Sequence, residues 1–266
     1  MSTLKISIVT PSFNQGRYIE NAIRSVLDQG YDNFEHIIYD NCSTDETLEV
    51  VAKYPHVKFY SEPDEGQSDA LNKGFLKATG EVIGWLNADD LYCPGTFQKV
   101  NEIFGDQGID AIYSNITFVD KDNQHIRNLR SHRPLRWLSL LYTFIQSTSF
   151  FFRSEIIKNN HLIDKNLHYS MDKDFFTRLL YAGYKFKYVD DYFAYFRRHE
   201  TNKTKSSKEL SKKDIYESIY IINKNTGLNL GFNGFTSFMY QLAMSVIAKP
   251  TRRFLVLSSS LQKKAP

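Results

Sequence analysis

Two carboxylates stand side by side at positions 89 and 90, in "EVIGWLNADDLY" (residues 81–92), directly after an apolar run from Val82 to Leu86 that reads as a buried strand. Adjacent like charges push one another's proton affinity up unless a cation lies against them. The pair therefore implies a metal ion or a cationic ligand. A local reading competes with this one: Asp90 could cap a short helix begun at Leu91, with Asp89 simply solvated. Other acids placed to do chemistry are Asp40, which ends "FEHIIYD" (34–40), and Asp172 and Asp174 in "MDKD" (171–174). For the last two the local alternative is a helix N-terminus, where a carboxylate contributes ~0.3–1 kcal/mol against the backbone dipole.

Whether these acids meet depends on the elements that carry them. "KISIVTPSF" (5–13) is β-branched and apolar without alternation, as expected of a strand covered on both faces. After Asn14, Gln15 and Gly16, the positions Tyr18, Ile19, Ala22, Ile23, Val26 and Leu27 repeat with helical spacing up to Gly30. A second strand at 34–40 is followed by a capping box, with Ser43 as N-cap and Glu46 three positions on. A third strand spans 57–63, a third helix 68–79, and "EVIGWLN" is the fourth strand. This alternation predicts a doubly wound, mostly parallel α/β sheet, which binds ligands at the carboxyl ends of its strands. Asp40, Asp89 and Asp90 then fall on one edge.

Beyond residue 110 the pattern changes. A hairpin is expected over 111–129 with its turn at 121–123, a strand running into a helix over 146–157, and a helix over 171–184 with Asp172 and Asp174 in its first turn. "FKYVDDYFAYFRRH" predicts two short strands about Asp190 and Asp191, followed by a polar loop at 200–213.

Composition sets the class. With 266 residues, 42% hydrophobic and 24% charged, the chain is long and apolar enough to bury a substantial core. The net charge of +3 hides an asymmetry: residues 199–266 hold 11 Lys/Arg against 4 Asp/Glu. Residues 1–5 lead straight into a strand, so no secretory leader is expected, and no apolar run approaches the ~18 residues of a membrane span. The two cysteines, Cys42 and Cys93, fit neither a disulfide framework nor a zinc spacing. A cytosolic location is expected. The first βα turn, "TPSFNQG", lacks GxGxxG, which argues against a dinucleotide-dependent oxidoreductase.

Six segments taken in order carry a family signature: "SIVTPSFNQGRYIENAIRSVLDQ", "DNCSTD", "GQSDALNKGF", "GWLNADD", "MDKD" and "RRHETNKT". Together they resemble the family 2 inverting nucleotide-sugar glycosyltransferases of GT-A fold, over roughly three quarters of the chain. The resemblance implies a catalytic domain at 1–205, with a nucleotide-sugar-binding half (1–110) and an acceptor-binding half with a small antiparallel sheet (111–205). A basic helical extension follows at 206–266. It also implies roles. Pro11, Ser12 and Phe13 would line the base and ribose pocket, and Asp40 would bond the uracil edge. "NADD" looks like the DXD motif, in which Asn87 stands where many relatives carry Asp, Ala88 separates it from Asp89 at the ribose or metal, and Asp90 would ligate Mn²⁺ or Mg²⁺. Asp172 would be the general base, and His199, in an RxH-like loop, would join the metal. "ALN" (70–72) replaces the relatives' ARN, so Asp69 would reshape that side of the pocket, and Cys42 stands at a turn where relatives have Gly. The partners implied are a nucleotide-sugar donor, UDP-linked by preference, and a saccharide acceptor, lipid-linked in a bacterial polysaccharide or lipopolysaccharide pathway. A catalytically inactive donor-binding subunit is the alternative, and a nucleotide-sugar hydrolysis assay separates the two.

The chemistry agrees with these roles. Expelling a nucleoside diphosphate builds charge that a divalent cation stabilises, and the acceptor hydroxyl needs a carboxylate to take its proton. Direct inversion requires no Ser or Cys nucleophile. In the extension, Phe235, Phe238, Met239, Leu242 and Val246 share one helical face, with Pro250 expected to end the helix. That face would pack on the catalytic domain or lie on an anionic membrane. Nucleic-acid binding is not expected, because the lysines of 203–213 lack interleaved aromatics.

Overall fold

The computed structural model describes residues 3–200, 202 and 212–262. Nine strands form one curled, mixed sheet: β1 (Ile6–Ser12), β2 (Phe34–Asp40), β3 (Val57–Ser61), β4 (Val82–Trp85), β5 (Leu91–Tyr92), β6 (Ala111–Val119), β7 (His125–Leu129), β8 (Phe151–Arg153) and β9 (Phe186–Arg197). Their order is β3-β2-β1-β4-β8-β6-β9-β5, with β7 on the outer side of β6. The first four strands are parallel, as the βαβ alternation requires, while β8 runs antiparallel to β4 and β6. The antiparallel part is thus continuous with the parallel part through β8.

Helices α1 (Gly16–Leu27), α2 (Thr47–Val51), α3 (Gln67–Lys77) and α4 (Thr96–Phe104) connect the first half. The short α5 (Arg136–Ser139) and α6 (Glu155–Lys158) lead to α7 (Met171–Tyr181), and the C-terminal helices are α8 (Lys212–Thr226), α9 (Gly234–Ala243) and α10 (Lys249–Gln262). One core lies between the sheet and α3 and α7, where Phe75, Phe150, Phe152, Phe175 and Phe176 are all nearly or fully buried. Each such ring contributes roughly 1.5–3 kcal/mol on burial. A second core, around Phe97, Phe104, Phe151 and Phe193, fills the opposite face with α1 and α4. Gly74 lets α3 lie directly on β1, since a Cβ there would overlap Val9.

Four local expectations are corrected. Ser43 caps no helix: α2 begins at Thr47, and Ser43 instead bonds Asp40. Asp90 caps no helix either, because Leu91–Tyr92 is a strand paired with β9. The two short strands around Asp190 and Asp191 are one strand, β9, whose pairing with β6 passes from Ser114↔Val189 to Asn115↔Tyr192, so the two acids sit in the bulge. Pro250 does not stop the last helix. A π-helical turn, Met244–Ala248, joins α9 to α10, and Pro250 falls directly after it. Most of the loop expected at 200–213 lies outside the described residues.

Candidate active site

The carboxyl ends of β1, β2 and β4 lie next to one another because β1 pairs with both neighbours, setting Ser12 opposite Asp40. Asp40 is buried and accepts three hydrogen bonds, from the Ser43 amide at 2.8 Å, the Ser43 hydroxyl at 2.5 Å and the Ser61 hydroxyl at 3.2 Å. These fold the loop after β2 back against the loop after β1. Asn14 accepts from the Thr44 amide, and Asp45 accepts from the amide of Gly16, which opens α1. Both loops turn through left-handed residues, Asn14 at φ 51° and Cys42 at φ 50°. The latter is a conformation that glycine reaches without the steric strain a Cβ brings. Pro11 and Ser12 are buried at the end of β1, while the Phe13 ring is 55% exposed beside them. The Ser12 hydroxyl and the Gln15 side-chain oxygen are buried without a hydrogen-bond partner.

After β4 the two neighbouring aspartates separate. Asp90 turns inward and is 1% exposed, accepting from the Thr148 hydroxyl at 2.7 Å, the Asn87 amide group at 3.0 Å and the Arg197 backbone N–H at 3.0 Å. Burial first, then the negative charge of Asp89, push its carboxyl up to about 8 against the pull of these donors. Asp89 turns the other way. One of its oxygens meets His199 Nε2 at 2.9 Å and the Asn202 amide group at 3.1 Å. Asn202 also accepts from the His199 backbone N–H, and the imidazole lies 4.6 Å from the Tyr18 ring. Asn87 is held by Trp85 Nε1 and Gln67 Nε2, both at 3.0 Å, as well as by its bond to Asp90. It braces the motif. Ala88 is buried in a small core with Ile19, Ile23 and Ile38.

Arg197 brings a buried positive charge that interacts electrostatically with both acids of the pair. Its guanidinium is buried, lies 4.7 Å over Tyr18 and donates to Asn21 and Asn123. Burial lowers its proton affinity, while the charges of Asp89 and Asp90 raise it.

The residue before Asp172 is tied to α3. The Ser68 hydroxyl donates to Met171 Sδ at 2.9 Å, and Ser68 follows Gln67, which holds Asn87. Asp172 itself is half-buried in the first turn of α7, whereas Asp174 is fully buried and pairs with Arg178 at 2.6 Å and Lys224 at 3.3 Å. The two acids of "MDKD" therefore differ: one is half-buried at the start of α7 and the other is spent on an internal ion pair. The segment before Asp172 is fixed by Glu217 of α8, whose carboxylate accepts from the backbone N–H groups of His168, Tyr169 and Ser170. Lys173, next to Asp172, is buried and donates to the Leu141 carbonyl, Ser218 and Tyr240. Beside this segment a cavity of about 460 Å³ opens between it and α8, with Tyr169, Tyr216 and Tyr220 on its walls.

Asp69 stands apart from the others. It accepts from the Glu65 amide and pairs with Lys165 and Lys73, which fastens the start of α3 to the loop before α7. Residue types alone did not single out Arg197, Asn202, Thr148, Lys173 or Glu217. Only "RRH" carried a hint, since a long cationic side chain followed the strand that pairs with β5. Among the described residues, no three His, Cys, Asp or Glu side chains form a ready metal cluster.

A mixed α/β sheet whose parallel strands β1, β2 and β4 end beside Asp40, Asp89 and Asp90 has the GT-A architecture. The chain belongs to glycosyl transferase family 2, whose sequence profile matches residues 7–199. It is 31% identical over 136 residues to an uncharacterized glycosyltransferase of Nostoc, covering 49% of this chain and 42% of that protein. It is also 30% identical over 122 residues to TuaG of Bacillus subtilis, a putative teichuronic acid biosynthesis glycosyltransferase, covering 44% and 48%. The matched region thus spans less than half the length of either relative. Among solved structures, residues 1–349 of S. aureus TarS in complex with UDP-GlcNAc superpose with a TM-score of 0.68 at 19% identity, over 91% of this chain and 73% of that one. The mannosyltransferase PcManGT of Pyrobaculum calidifontis, in complex with GDP-Man and Mn²⁺, gives 0.62 at 15% identity over 100% and 77%.

Proposed function

We propose that the protein transfers a sugar from a nucleoside-diphosphate sugar, by preference a UDP-sugar, to an acceptor hydroxyl with inversion, in bacterial cell-surface polysaccharide or lipopolysaccharide synthesis. The observation that carries this reading is the meeting of Asp89 and His199 at 2.9 Å across 110 residues of sequence, on the same sheet edge as Asp40. In this reading Phe13 stacks on the base, Pro11 and Ser12 form the floor beneath it, and Asp40 bonds the base edge.

A carboxylate oxygen and an imidazole nitrogen side by side suit Mn²⁺ or Mg²⁺, which are commonly held by one or two protein ligands together with substrate phosphates. When bound, such a cation neutralises the charge growing on the departing diphosphate. Asp89 and His199 would hold it. Asp90, named from the motif as the ligand, is better suited to anchoring: its oxygens already engage Thr148, Asn87 and the Arg197 backbone, and it keeps Asp89 turned outward. Asn202 orients the imidazole. Asp172 takes the acceptor proton, and Glu217 fixes its segment of chain. The cavity flanked by Tyr169, Tyr216 and Tyr220 offers aromatic faces for an acceptor saccharide, one carried on a lipid in such pathways. Neither cysteine is needed, and burial pushes the Cys93 thiol up to about 11, which leaves it protonated and unreactive.

Titration calorimetry with UDP, with and without Mn²⁺, tests the assignment. Asp89→Ala is expected to lose at least ~10-fold in Mn²⁺-dependent affinity. Unchanged affinity in Asp89→Ala, with an unaltered melting temperature, refutes the metal role.

A further inference from the structure

The C-terminal helices present an apolar face that none of the described residues covers. Through α9, the π-turn and α10, Phe235, Phe238, Met239, Leu242, Val246 and Leu257 lie along one side and are between 42% and 71% exposed. The opposite side holds Tyr240, Ala248 and Leu255, which are all buried. At 1.5 Å per residue the exposed stripe runs about 33 Å. These are the residues that, by their spacing, could equally have packed on the catalytic domain. Instead, it is the Tyr240 side of the helix that packs.

Along the sequence, the charges of this segment have one sign. Residues 227–266 contain five Lys or Arg and no Asp or Glu. Lys249 and Arg253 are exposed beside the apolar side chains, and Leu228, Leu230 and Phe232 extend the apolar surface ahead of α9. Large aromatic and aliphatic side chains in a segment whose own charges are all cationic match the composition of a helix that lies in the headgroup layer of an anionic bilayer. Among the described residues no helix is long and apolar enough to cross a membrane, so the contact would be peripheral.

We propose that α9–α10 is a membrane-docking surface whose occupant is the anionic lipid bilayer. The surface also lies close to the chemistry. Tyr240, on the inner side of α9, donates to the Leu141 carbonyl and contacts Lys173, the neighbour of Asp172. The docking helix is thus one side-chain layer from the candidate base. If the transfer reading holds, a lipid-borne acceptor would be met on that same surface, but docking itself does not depend on that reading.

Vesicle flotation of the full chain tests the proposal. Wild type is expected to float with phosphatidylcholine vesicles that contain phosphatidylglycerol, to stay behind with phosphatidylcholine alone, and to lose binding as salt is raised. The double variant Phe238→Asp/Val246→Asp is expected to lose at least ~10-fold in bound protein while its melting temperature and its Mn²⁺-dependent UDP binding stay unchanged, since both side chains face outward. Wild type that fails to float, or a double variant that floats equally well, overturns it. So does a wild-type dimer in light scattering that the double variant converts to monomer without any vesicle binding, because the occupant is then a second copy of the chain. UDP binding is read on the same samples, so loss of the donor reading is told apart from loss of docking.

Discussion

Replacing Lys173 by Met removes a titratable ammonium from a site where water does not reach it. Its neighbours are neutral: the Leu141 carbonyl at 3.2 Å, the Ser218 hydroxyl at 3.0 Å and the Tyr240 hydroxyl at 3.1 Å, with the Tyr240 ring 5.3 Å away. Burial lowers its pKa from 10.5 to about 7, and the Asp172 charge offsets only part of that. The sign follows from proton counting. Between pH 7 and 10.5 the unfolded chain keeps a proton at this lysine that the folded chain releases, so stability rises with pH across that window and is flat below it. For those two pKa values the linkage gives a gain on the order of 2 kcal/mol between roughly pH 7 and pH 8.5. Lys173→Met is expected to lack that gain. The variant also strands the Ser218 hydroxyl, at a cost of ~1 kcal/mol that does not vary with pH and so leaves the slope untouched. Urea unfolding of both proteins at several pH values in this range reads the difference directly, and everything else that titrates cancels between them. Parallel stability curves for wild type and variant refute the argument, because they would mean that the ammonium stays hydrated or finds a charged partner in the folded protein.

Two other outcomes are expected. Asp172→Asn should keep Mn²⁺-dependent UDP binding and lose at least ~10²-fold in transfer, the usual contribution of a positioned base, and near-normal turnover in a radiolabelled-sugar assay would remove Asp172 from that role. Glu35 is buried, and although burial raises its carboxyl, bonds from Lys58, Ser7 and Thr79 more than offset this and hold it at about 2 against 4.5 in the unfolded chain. That stability is present above 4.5 and lost as pH falls towards 2, so wild type should lose about 2 kcal/mol between roughly pH 5 and pH 3 that Glu35→Gln does not, as read by urea midpoints.

The parallel half of the fold and the edge that carries the acids could be read from the chain, because βα alternation is a short-range signal and strand ends fix where ligands bind. What sequence could not assign was which of two adjacent carboxylates faces outward. Consecutive residues at a strand end point in opposite directions, and the choice between them was made by partners 58 and 107 positions away, Thr148 and Arg197. A motif read by position gives the metal to Asp90 and leaves Asp89 between ribose and metal. The long-range hydrogen bonds bury Asp90 among Thr148, Asn87 and the Arg197 backbone and set Asp89 against His199.

The same logic explains why the tail's apolar stripe was ambiguous. A helix with apolar residues at heptad-like spacing declares that one face is covered without saying by what. In this chain a smaller set, Tyr240, Ala248 and Leu255, suffices to hold the helix, and Tyr240 does so through polar contacts with Leu141 and Lys173 as well as by packing. The stronger apolar set is therefore left facing out. Exposing that much Phe, Leu and Val costs the isolated chain solubility, a cost that only an external apolar surface removes. The absence of acids from residues 227–266 then selects an anionic surface over a neutral or cationic one.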